Sequence, residues 1–310
     1  MTPTRSTRQR HQEQRVLFLL LLVAVAVAIV AARTPRQGNH RPAPPQPPRT
    51  SPARPHQVAA PGEQRGELPS AREGTAGTET TRSQGPVAAI VIDDVGNNEA
   101  DLQPFLALDY PLAFAVLPAL PLSRSLAEQC RAQGREVLLH LPLQPQGSQA
   151  MGPGAIAVDM EPAAIRRAVR DDLASVPGAT GVSNHMGSLA TADRQVMGAV
   201  MQVVAERGLY FVDSLTTSRS QASTLAAEHG VGCLRRDLFL DPGRPGPDQV
   251  AQQVLALGEL AKRRGYALGI GHVHPDTAQG LAAGLPRLEA MGVRLVSAGE
   301  LAADRGGPGE

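Results

Sequence analysis

The sequence predicts an α/β protein built as a (β/α) barrel, regular or irregular, and three observations lead there. From Val87 onward, short apolar runs rich in β-branched residues alternate with amphipathic, helix-patterned segments. Glycines recur where those segments stop, so that Arg207-Gly208-Leu209, Arg264-Gly265-Tyr266 and Met291-Gly292-Val293 each read as a helix end leading into a strand. Polar clusters follow the apolar runs directly, as they do where buried parallel strands deliver a site at their carboxyl ends. Regular alternation over about eight strands gives a barrel, and no solenoid-type repeat competes with it.

The first strand, 87–92, carries the pattern most clearly. Its apolar residues run unbroken into Asp93 and Asp94, with Gly96 just behind. The run is too short for a helix, and its continuous apolarity fits a strand buried on both faces. One acid there would serve as a helix N-cap. Two adjacent acids point to metal ligation, general-base chemistry or both. Further strands are expected at 112–117, 136–141, 180–183, 209–212, 237–240, 267–270 and 293–297. Helices are expected at 123–133, 162–175, 193–207, 218–229, 248–264 and 278–290.

The chain ahead of this domain has a different character. Arg5, Arg8, Arg10 and Arg15 precede the apolar run 16–32, which Arg33 closes. That length is near the lower limit for a spanning helix, and no strong small-x-small cleavage site follows. Residues 1–33 therefore read as a signal anchor with a cytoplasmic amino terminus in an inner membrane, the rest being exported to the periplasm. If the anchor is cleaved, the product is periplasmic or secreted. Residues 34–86, rich in Pro and Arg with almost no large apolar side chain, read as a disordered linker. The globular domain is expected at 87–302, with a disordered tail at 303–310.

The net charge of +1 gives no basis for nucleic-acid binding. The two cysteines cannot make a zinc cluster, and Cys130 sits at an apolar helical position as a buried free thiol would. A Cys130–Cys233 bridge is the alternative in an oxidising compartment. Tryptophan is absent and aromatics make up 3%, so ring stacking on a sugar is poorly provided for.

Polar clusters collect at the expected strand ends. They are Asp93-Asp94, His140 through Gln144, Ser183 through Ser188, and Gly271-His272-Val273-His274. Asp213-Ser214 and Asp241 are smaller ones. A lone histidine at a strand end is more often a cap or core residue than a ligand. Here, however, four of the eight histidines, His140, His185, His272 and His274, fall at or beside ends that a barrel brings to one face. Neutral imidazole with carboxylate suits a divalent transition metal, zinc first, with an open position for hydrolysis.

These motifs resemble the divergent polysaccharide deacetylase family, distant relatives of the NodB-type carbohydrate esterases. The residues that carry the resemblance are Ile92-Asp-Asp, Leu139-His-Leu-Pro, Gly181 through Ser188, Phe211-Val-Asp-Ser214, Phe239-Leu-Asp241 and Ile270-Gly-His272. The resemblance covers about Val87 to Leu301. It implies a deformed (β/α)7-8 barrel of the glycoside hydrolase/deacetylase type. By that resemblance Asp93 is the catalytic base, Asp94 a metal ligand, His140 the first metal histidine and His272 the catalytic acid. The family's second metal histidine would stand four residues after His140, where this chain has Gln144, a poor zinc ligand; His185 is the residue expected to replace it. Asn184, Ser188, Asp213, Asp241 and His274 are expected to orient ligands or bind substrate. The implied substrate is an N-acetylated envelope polysaccharide of peptidoglycan-like chemistry. Two other readings fit the same residues: an anchored barrel that binds glycan or a partner without catalysis, and a metal-independent glycoside hydrolase pairing Asp93 with Asp213 or Asp241.

Overall fold

The computed structural model describes residues 85–305. The expected anchor, nearly all of the expected linker and residues 306–310 lie outside that range. Among the described residues no helix is long and apolar enough to cross a membrane. The chain runs β1 (Val87–Val95), α1 (Glu99–Leu106), β2 (Ala113–Val116), α2 (Ser123–Ala132), β3 (Glu136–Leu143), α3 (Pro162–Ser175), β4 (Gly181–Met186), α4 (Arg194–Glu206), β5 (Tyr210–Asp213), α5 (Ala222–Glu228), β6 (Cys233–Arg235), β7 (Leu238–Phe239), α6 (Pro247–Arg264), β8 (Tyr266–His272), α7 (Pro275–Ala290), β9 (Arg294–Leu295) and α8 (Ala298–Arg305).

The strands make one parallel sheet in the order β6-β5-β4-β3-β2-β1-β8-β7, and β9 pairs with the start of β1. The sheet curls into a deformed barrel that stays open between β6 and β7, which no ladder joins among the described residues. The reason is local. Only Arg236 and Asp237 separate the two strands, whereas parallel neighbours need a crossover of a dozen or so residues. Three elements differ from the sequence expectation. β6 is too short to show as an apolar run, α1 carries Pro104 within it, and α8 continues to Arg305, into the expected tail.

Alternate strand residues divide into two cores, as a period of two requires. Ile90, Ile92, Phe114, Leu139, Leu141 and Phe211 pack against the helices. Ala89, Val91, Ala113, Ala115, Leu138 and Ile270 form the inner core. Each of the larger ones, fully buried, stabilises by about 1.5–3 kcal/mol. Ala298 and Leu301 of α8 join the inner core, and Gly299 N donates to Glu136, the first residue of β3, at 3.1 Å. α8 therefore closes the barrel at the amino ends of the strands and leaves the carboxyl ends for the site. Both cysteines are free, and burial pushes each thiol up to about 12.

The loop after β3 is held against α3 by a close approach. Gly154 has φ of 76°, and a Cβ there would lie 2.2 Å from Asp172 Oδ1. Asp172 is buried and its Oδ2 has no hydrogen-bond partner. Burial, with Asp171 adding to it, pushes its pKa up to about 7. A carboxyl raised on folding costs stability once pH climbs above its unfolded value, and the cost is complete above the folded value. Asp172→Asn should therefore raise stability by on the order of 2 kcal/mol at pH 8 and have little effect near pH 4. Denaturant unfolding at the two pH values would check this, and an equal effect at both would contradict it.

Candidate active site

The site begins with a fault in β1. Its register against β2 shifts between Ile92 and Val95, and Asp94 adopts φ of 66°, a left-handed conformation costing a non-glycine residue roughly 1–2 kcal/mol. Consecutive residues of a regular strand face opposite sides. The bulge instead lets both acids approach His140. Asp93 Oδ1 lies 3.6 Å from His140 Nδ1, and Asp94 Oδ1 lies 3.2 Å from His140 Nε2. β1 and β3 flank β2, whose inward residues are Ala113 and Ala115. Small side chains there leave room for the aspartates and the histidine to meet across it.

His185 completes the cluster from β4, where it registers with Pro142 of β3. Its Nδ1 is 2.9 Å from Asp94 Oδ1 and 3.2 Å from His140 Nε2. The three donor atoms thus form a nearly equilateral triangle. Donors around tetrahedral zinc, at ~2.0–2.1 Å from the metal, stand roughly 3.3 Å apart. Asp94 Oδ1 is buried and has no partner at good hydrogen-bond geometry, although two ring nitrogens lie beside it. His140 Nε2 and His185 Nδ1 lie within hydrogen-bond reach of each other, and with Asp94 Oδ1 they form a donor set compact enough to fit a divalent cation. Among the described residues this is the His/Asp group able to hold one. On the far side of the His140 ring, Nδ1 lies 2.8 Å from Ser183 Oγ, which fixes the ring and turns Nε2 to the triangle.

The electrostatics divide the two acids. Burial works to raise the Asp94 pKa, but His140 and His185 outweigh it and hold the carboxyl below the usual range. Asp93 is fully buried and its Oδ1 lacks a hydrogen bond. Desolvation raises its pKa, only partly offset by His140 and His272. Adjacent carboxylates are thereby tuned in opposite directions.

His272 ends β8 in direct register with Asp93. Asp241 holds it twice: Oδ1 lies 2.9 Å from His272 Nδ1, and Oδ2 accepts from His272 N at 2.7 Å. Thr277 Oγ1 donates to the same Oδ2 at 2.7 Å. Burial opposes charge on the ring, yet Asp241, with Asp93 and Asp94 behind it, wins and raises the pKa to about 9. His274 stands at the N-cap position of α7 without a capping bond from its side chain, its ring 6.3 Å from that of His272.

The remaining expected residues sit around this centre. Asn184 accepts from Ser214 N at 2.9 Å and donates to Met186 O at 2.7 Å, tying the strand end that carries His185 to β5. Ser188 Oγ accepts from Gln146 N. Asp213 is buried and caps Leu215 N. Asp241 is bonded to His272 and Thr277, and Asp213 to Leu215 N within its own turn. Gln144 faces away from the triangle: its Oε1 accepts from Val158 N at 2.8 Å and its carbonyl from Leu189 and Ala190. Sequence reasoning gave no role to Ser183, although strand parity sets it beside His140. It also missed Arg236, which donates to Ser214 O and lies 3.7 Å over the Phe239 ring at the open seam. No motif marks that arginine.

A carboxylate-and-imidazole donor triangle, a buried carboxylate and a charged imidazole at the carboxyl ends of a parallel barrel define a hydrolase-type site. Residues 90–302 match the divergent polysaccharide deacetylase family model, and the chain belongs to that family of deacetylase-type hydrolases. An uncharacterized Haemophilus influenzae protein is 37% identical over 213 residues, covering 69% of this chain and 75% of that one. Escherichia coli YibQ, also uncharacterized, is 37% identical over 191 residues, covering 62% of this chain and 60% of its own length. Among solved structures, an uncharacterized Agrobacterium tumefaciens protein matches with a TM-score of 0.67 at 21% identity, over 71% of this chain and 91% of that one, a likeness of fold.

The Asp241–His272 pairing makes a direct prediction. Asp241→Asn should lower the His272 pKa by about one unit or more, as read by NMR titration of its ring protons. An unchanged value would mean that Asp241 does not govern the charge on His272.

Proposed function

We propose that this protein removes acyl groups from N-acylated sugars of an envelope glycan, peptidoglycan-like material being the candidate, with a divalent cation held by Asp94, His140 and His185. The carrying observation is the donor triangle with its orphaned Asp94 oxygen. The donor set, one carboxylate and two imidazoles, favours zinc. Bound there, the cation supplies Lewis acidity to an amide carbonyl and to water.

The protein's own groups do the rest. Asp93, raised by burial, takes a proton from the attacking water. His272, kept charged by Asp241, gives a proton to the departing amine. Ser183 fixes the His140 ring and Asn184 fixes the strand end bearing His185. The arginines ahead of the apolar run 16–32 support an anchor in the inner membrane with the domain on the periplasmic side.

Zinc titration of wild type, His140→Ala and His185→Ala tests the centre. The wild type should bind one zinc, and each variant should bind at least about tenfold more weakly. Unchanged affinity in both variants, or no zinc in the wild type, would overturn the reading and leave an anchored binding protein. Turnover should follow a bell in pH. It should fall on the acid side as Asp93 gains a proton and on the alkaline side as His272 loses one near about 9. In Asp241→Asn the alkaline limb should move to lower pH. An alkaline limb that stays put would remove His272 from the proton-donating role.

A further inference from the structure

A cavity of about 290 Å³ opens beside two of the donor residues, Asp94 and His185. Most of its wall is apolar. Leu117, Pro118 and Leu120 follow β2, Pro142 belongs to β3, and Met151 and Pro153 come from the loop after β3. Asn97 is the one other polar residue lining it. On this wall the leucine and proline side chains offer a pyranose hydroxyl no hydrogen-bond partner, and Asp94, Asn97 and His185 are its polar side chains. An acetyl group has a single methyl to bury, close to a water molecule's share of about 30 Å³, and fills a small part of the space.

Position says which half of an amide belongs there. His272 and Asp93 pair in register at the end of β8 and β1, and neither lines the cavity. The leaving amine must meet the proton on His272, so the amine and its sugar extend toward β8. The acyl group then points the other way, past Asp94 and His185, into the apolar cavity.

The wall is also built to last. Gln144 Oε1 holds Val158 N at 2.8 Å, Ile156 N donates to Pro142 O at 2.9 Å, and Ser188 Oγ holds Gln146 N at 2.9 Å. These bonds fasten both ends of the loop that supplies Met151 and Pro153. The amide at position 144, unsuited to a metal, is suited to this task.

We infer that the site accepts amides whose acyl chain is longer than acetyl, about four to eight carbons, a statement that rests on the proposed metal-dependent hydrolysis. Water adds across the C–N bond: its oxygen joins the acyl carbon, which leaves as a carboxylate, and the amine departs carrying the proton from His272.

The test uses the zinc-loaded full chain on chitobiose N-acylated with acetyl, butanoyl or hexanoyl groups. From acetyl to hexanoyl, kcat/KM should rise roughly tenfold or more, and Met151→Trp should reverse the order by filling the cavity. A flat or falling series in the wild type overturns the acyl inference and leaves amide hydrolysis standing. No turnover on any of the three counts against the hydrolysis itself. Binding then decides the cavity without catalysis. With zinc removed by a chelator, hexanoate should raise the unfolding midpoint more than acetate at equal concentration, and Met151→Trp should cancel the difference. Equal shifts for the two acids overturn the inference.

Discussion

Two neighbouring residues of a strand normally look in opposite directions, and the carboxyl end of this barrel depends on their not doing so. The register shift after Ile92 and the left-handed Asp94 bring both acids toward His140. Without that fault, one carboxylate would fall among the apolar side chains under the helices. The other would face the site with no partner acid. The strain of one left-handed aspartate is small beside the packing of β1, which is buried along nearly its whole length and paired on both edges. The rigid strand tolerates the distortion and confines it to the position where the chemistry collects.

The rest of the barrel follows a simple division. Along each inward column, small or branched apolar residues fill the amino half and polar ones take the carboxyl end. Val91 precedes Asp93, Leu138 precedes His140, and Ile270 precedes His272. α8 plugs one end with Ala298 and Leu301 and leaves the polar end uncovered by it. The low-dielectric floor then separates the two acids in pKa. Asp94 is compensated by two imidazoles, whereas Asp93 is left with burial as its dominant influence.

Much of this was legible in the residues. Parallel strands buried on both faces must be apolar throughout, so β1, β3 and β8 stand out as runs, and the polar residues near their ends mark the candidate site. Asp93, Asp94 and His272 lie at such ends, His140 stands within β3, and His185 comes from the end of the less apolar β4. What could not be read depends on backbone geometry or distant partners. Nothing in Asp93-Asp94 announces a bulge. Gln144 differs from a histidine ligand in identity, but only the fold shows that it bonds to Val158. β6 is three residues, and its neighbour Arg236 acts through carbonyls brought close by the open seam. α8 has little amphipathic signal because Ala298 and Ala302 do much of its packing.

The first strand of the domain lies in the middle of the sheet, between β2 and the late-arriving β8, with β9 along its base. A chain leaving the ribosome therefore presents its central strand first and receives the partners for one edge only near its end. Until then β1 is an apolar edge with unpaired amides, and Asp93 has no His272 beside it. Such long-range closure is slow and leaves the nascent domain in need of protection from association. The arrangement also makes assembly of the site a late event, because the acids and the histidine that faces them stand at opposite ends of the stretch from Asp93 to His272.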